Sequence, residues 1–186
     1  MEQKAPTATT GRMNHLGGDM LNLRSIYMFS KQNMHVGMRG AGRDPIRAAR
    51  HQHDQSVFHR LLALHDDIQR DLEMLPDGIR SRTRSHNPEV VALLHDHVPA
   101  MKQRLHENFG LRFWDPAFAE LFAQHDKVHM EVSLLPDGVM IEERSDDPNV
   151  VTLIKAHGQV INLFVAHGEK QAQQESPLPA EYLRVL

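Results

Sequence analysis

A chain of 186 residues that is 40% hydrophobic and 24% charged has enough apolar material for one domain with a real core, or for two small units sharing one. Its formal net charge of −3 leaves no electrostatic footprint for nucleic acid. With no cysteine, disulfides, thiolate zinc sites and iron–sulfur clusters are excluded, so any metal must be held by nitrogen, oxygen or thioether sulfur.

Residues 1–50 form a Met/Gly/Arg-rich N-terminal arm without sustained periodicity. Its start, MEQKAPTATTGR, lacks the apolar centre of a secretory signal, and no stretch of the chain approaches the ~20 apolar residues that span a bilayer. The expectation is a soluble protein with no membrane span, cytoplasmic as given, or periplasmic or secreted if a signal peptide has been removed. Met13, His15, Met20 and Met28, then Met34, His35 and Met38, gather thioether and imidazole groups that together suit copper, in particular the cuprous ion. Arg12, Arg24, Arg39, Arg43, Arg47 and Arg50 give the arm a basic character that fits docking on an acidic protein partner.

Residues 51–168 form a duplicated helical domain. Sliding the sequence by 60 places repeat 1 (58–108) over repeat 2 (118–168) without a gap. Phe58/Phe118, His65/His125, the run Leu75-Pro76-Asp77-Gly78 over Leu135-Pro136-Asp137-Gly138, Arg84-Ser85 over Arg144-Ser145, Pro88/Pro148 and His97/His157 coincide. In each copy, 3-and-4 spacing predicts an amphipathic helix carrying Phe58, Leu61, Leu62, His65, Ile68, Leu72 and Leu75, matched by Phe118, Leu121, Phe122, His125, Val128, Val132 and Leu135. Pro-Asp-Gly then makes a turn, and partial alternation over Ile79–Arg84 and Val139–Arg144 predicts one strand per copy. Asn87-Pro88 and Asp147-Pro148 cap the second helix, with apolar faces at Val90, Val91, Leu94, His97, Val98, Met101 and Leu105, and at Val150, Val151, Ile154, His157, Val160, Ile161 and Phe164. Asp115-Pro116 repeats the cap logic after a short linker. The expected fold is mainly α (α+β): a tandem duplication of a helix–turn–strand–helix unit around a pseudo-twofold four-helix core, with a small antiparallel two-stranded ribbon in which Arg80, Arg82 and Arg84 face Glu142 and Glu143. Residues 169–186, containing SPLPA, form a C-terminal tail.

Fourteen histidines and ten methionines are many for this length. His65, His97, His125 and His157 fall on positions the helical period assigns to the apolar face. On the helical reading, His65 and His97 each stand roughly 14 to 15 Å from the connector, which makes them level in an antiparallel hairpin. The second copy repeats the arrangement, so four imidazoles converge on one core layer, able to bind copper, iron or zinc or to supply axial ligands to a haem. The alternative is a hydrogen-bonded core network without a ligand. His125 and His129, at i and i+4, add a spacing able to chelate one ion.

Enzymatic readings are weaker. The apolar faces carry no acid for a di-iron carboxylate bundle, or for the carboxylate bridges of haemerythrin-like bundles, which this chain resembles only in helix number and His content. His65-Asp66, His95-Asp96 and His125-Asp126 resemble the metal-binding doublets of helical phosphohydrolases, but duplication accounts for two of them, and helix neighbours point about 100° apart. No serine sits in a nucleophile elbow, and no Gly-rich segment joins a strand to a helix as a phosphate cradle requires. The expectation is therefore non-enzymatic binding of a transition metal or haem through His65, His97, His125 and His157, in carriage, storage or sensing. Its rival is an accessory subunit with structural histidines and a partner-binding N-terminal arm.

Overall fold

The computed structural model describes residues 44–186. Met34, His35, Met38 and the rest of the Met/His cluster lie outside the described residues. Four helices open on an Asx-Pro pair, in which the Asx side chain accepts a hydrogen bond from the backbone N–H two residues on, and proline fills the first helical position. These are α1 (Pro45–Ala63), α2 (Pro88–His106), α3 (Pro116–Ala123) and α4 (Pro148–His167). Strands β1 (Gln69–Leu75), β2 (Gly78–Arg84), β3 (His129–Leu135) and β4 (Gly138–Arg144) and the short α5 (Glu169–Ala172) complete the described residues. No helix among them is long and apolar enough to cross a membrane.

The four strands form one antiparallel sheet in the order β1-β2-β4-β3. This corrects the expected four-helix core with a two-stranded ribbon. The helices expected to run on to Leu75 and Leu135 stop at Ala63 and Ala123, pass through 3-10 turns at His65–Asp67 and His125–Lys127, and continue as β1 and β3. The misleading signal is physical: Ile68/Leu72 and Val128/Val132 are spaced by four, which fits a helical face and is also an even number that fits one side of a strand. Leu75-Pro76-Asp77-Gly78 and its copy are therefore hairpin turns, with Leu75 opposite Gly78 and Leu135 opposite Gly138.

The duplication is built into the central pair. In the β2/β4 register Ser81 faces Ile141, its own counterpart 60 residues on, so the pseudo-twofold axis passes between them. Arg80 lies opposite Glu142 on the outer face, with Nε donating at 2.6 Å. Glu143 points to the other side, under the helices, because neighbouring strand residues alternate faces. The outer face carries further ion pairs, Arg82 with Asp137 and Arg144 with Asp77. The inner face is closed by helices from the opposite repeat. Leu94 and Val98 of α2 cluster with Val139, Ile141 and Val132 of the second hairpin, while Leu153 and Ile154 of α4 cluster with Ile79 and Leu72 of the first. Each repeat thus covers its partner's strands, and neither buries its own sheet face alone.

The tail folds back onto α3 and its approach. The buried Glu120 accepts from Tyr182 Oη at 2.9 Å and from the Val185 N–H at 3.0 Å, and Ser176 Oγ donates to the buried Asp115 at 2.9 Å.

Candidate functional site

Between the sheet and its helices lies a cavity of about 180 Å³ lined by both repeats. Its aromatic wall is an arc of rings. His97 stacks on Phe58 at 5.7 Å, Phe58 meets Phe164 at 5.9 Å, Phe164 meets Phe118 at 6.2 Å, and Phe118 meets His157 at 4.9 Å. α2 and α4 therefore deliver His97 and His157 from twofold-related positions to the two ends of one aromatic arc.

Both histidines sit deep in the fold, and Nδ1 of each is buried with no hydrogen-bond partner among the described residues. Burial disfavours the imidazolium and holds both near pKa 4, far below the ordinary value of 6.5, so both rings are neutral at physiological pH. His65 also lines the cavity, but its Nδ1 is tied to the Val165 carbonyl at 2.9 Å, so that nitrogen carries the proton and donates. His125 lies in the second 3-10 turn and does not line the cavity. His129 starts β3 on the outer face, exposed, so the single helical face expected to bring it together with His125 does not exist. The level four-imidazole layer is thus replaced by two buried imidazoles plus His65 on one cavity. Among the described residues, no group of three or more His, Asp or Glu side chains is placed to hold a metal ion.

Two charged residues on the cavity escape the helical reading, Arg70 of β1 and Glu143 of β4. Arg70 Nη1 donates to the Gly158 carbonyl at 3.0 Å and to Asn162 Oδ1. Burial lowers its pKa to about 10. Glu143 is 7% exposed and raised to about 7 by burial, an effect the Arg70 charge opposes. Both break the duplication, since their counterparts are Met130 and Thr83. The signal that finds them is a mismatch between copies at an inward strand position, which for Arg70 is visible only once β1 and β3 are recognised as strands. Arg112 closes another part of the lining, with its guanidinium 4.3 Å from the Trp114 ring centre and 2.9 Å from Asp115. His95, of the His95-Asp96 doublet, is structural: its Nε2 reaches the Leu135 and Gly138 carbonyls of the second hairpin turn at 3.0 and 2.9 Å.

These buried groups set a pH dependence. The two histidines, lowered from 6.5 to about 4, contribute stability that is present above pH 6.5 and lost as pH falls toward 4, because only the unfolded chain takes up their protons there. Glu143, raised from 4.5 to about 7, contributes stability that is present below pH 4.5 and lost as pH rises toward 7. Between these limits two protons oppose one, so this set weakens the fold on acidification by about 1.4 kcal/mol per pH unit. Glu143→Gln removes the opposing proton and is expected to steepen the fall to about twice that, relative to wild type. Denaturant titrations of both proteins at pH 5 and 6.5 check it, and equal slopes would contradict the burial of Glu143.

Compared with known proteins, the chain matches no family model, no curated protein and no solved structure.

Proposed function

We propose that the protein is a non-enzymatic binding protein, acting in carriage, storage or sensing, whose ligand is a transition-metal centre seated in the cavity with His97 and His157 as nitrogen donors. One observation carries this reading: repeat-related imidazoles line the same cavity, and each carries a buried ring nitrogen that no described group satisfies. An unsatisfied buried polar atom costs on the order of 1 to 3 kcal/mol, so a purely structural core would be better served by a phenyl or an alkyl group at each position. Neutral imidazole is also the form that ligates copper, iron or zinc, and at pH 7 neither ring has to lose a proton first.

The surroundings restrict what enters. Because no third imidazole or carboxylate is grouped with the pair among the described residues, the remaining coordination positions belong to ligands that arrive with the metal. A cavity of about 180 Å³ is of the order that takes a benzene-sized guest, so a compact complex fits, whereas a haem enters only by spreading the lining.

The test combines uptake with stability. Wild-type protein is loaded with cuprous, zinc or ferrous ion or with hemin, desalted and measured for metal. The same is done with the double variant His97→Phe/His157→Phe. The expected result is stoichiometric metal in the wild type, absent from a variant at least as stable as its parent. A wild type that takes up neither metal nor hemin, or a variant that takes up as much, overturns the proposal.

A further inference from the structure

Arg70 is a charged side chain with no charged partner in contact. No carboxylate lies within ion-pair distance of it among the described residues, and the acceptors it holds, the Gly158 carbonyl and the Asn162 amide, are both neutral. The one acid that shares the cavity, Glu143, accepts no hydrogen bond from any described group and is half protonated near pH 7. A guanidinium largely removed from water with no carboxylate in contact is costly, and the group fits planar oxyanions better than any other side chain.

The fold itself does not ask for this charge. The equivalent position in the second repeat is Met130, which packs against the apolar clusters, so an apolar side chain is accommodated at the twin site. Arginine at position 70 instead gives one end of a pseudo-symmetric apolar cavity a positive charge.

We infer that the molecule seated in this cavity bears an anionic oxygen group, of the carboxylate type, that pairs with Arg70. The ligand is thus an apolar or metal-bearing body with an acid attached, oriented by the end of the site that carries Arg70. The inference rests on the cavity being the binding site, as in the proposed function, and not on the metal.

Benzoate and benzamide are the probes, being nearly equal in shape and different in charge. Their binding to the metal-free full chain is measured by calorimetry for wild type and for Arg70→Met, which copies the residue of the second repeat. The wild type is expected to bind benzoate about tenfold or more tightly than benzamide, the advantage of a charge-assisted hydrogen bond, and Arg70→Met to bind both equally. Equal affinity in the wild type, a benzoate preference that survives in Arg70→Met, or no binding of either probe overturns the inference. Metal uptake by the same preparations separates the two readings. Intact uptake without a benzoate preference removes only the anion, and a benzoate preference without uptake removes only the metal.

Discussion

Alanine at Gly78 is expected to destabilise the fold severely. The inner strands β2 and β4 approach so closely there that a Cβ on Gly78 would stand 1.9 Å from the Glu143 carbonyl oxygen. The twin position is equally tight, with a Cβ on Gly138 falling 2.0 Å from the Thr83 carbonyl oxygen. The obstacle in both cases is backbone at the centre of the sheet, which cannot turn aside as a side chain would. Only separation of the two strands relieves it, and that disrupts the pairing on which the pseudo-twofold depends. A cost on the order of 3 to 5 kcal/mol is expected for either variant, at the upper end for overpacking. Gly110→Ala is the control, since its Cβ meets only the Phe122 ring at 3.3 Å and a ring can shift by tenths of an ångström. Denaturant midpoints check this: Gly78→Ala with near wild-type stability would contradict the central strand register.

The second large effect is expected at Asp54. Its carboxylate accepts from Arg104 Nε at 2.6 Å, and the two side chains are only 3% and 1% exposed. Arg104 also donates to the Phe109 carbonyl at 2.9 Å and lies 4.7 Å from that ring's centre, tying α2 to the linker before α3. Asp54→Ala leaves the guanidinium buried without its counterion, and such losses run at about 3 to 5 kcal/mol. Replacing both partners, in Asp54→Leu/Arg104→Met, removes the stranded charge and is expected to recover much of the loss. Equal instability of the single and double variants would show that the packing of this corner, and not the ion pair, carries its stability.

The duplication, the Asx-Pro helix starts and the second strand of each hairpin are legible in the chain because each rests on a local signal. The first strand of each hairpin is not. Its inward residues are Arg70 and Leu72 in one copy and Met130 and Val132 in the other, and the arginine spoils the alternation while the spacing of four from Ile68 and Val128 imitates a helix. The crossing of α2 onto the second hairpin and of α4 onto the first is also invisible, since an amphipathic face does not state which of two equivalent sheets it covers.

The site divides along the same line. His97 and His157 are found correctly as polar residues on apolar helical faces, because their helices are true helices. His65 and His125 are placed on helices that end before reaching them. Arg70 goes unnoticed, since it falls off the apolar face of the expected helix, and Glu143 is assigned to the wrong face, paired outward with arginine.

The most direct test of the cavity as a metal site is the ¹⁵N spectrum of the imidazole rings, recorded during titration of the metal-free protein with zinc at pH 7. The expected result is that the ring nitrogens of His97 and His157 begin as neutral imidazole and move together as zinc is added, while those of the exposed His53 and the hairpin-bound His95 stay in place. Movement confined to exposed histidines, with His97 and His157 unchanged at saturation, would contradict the account.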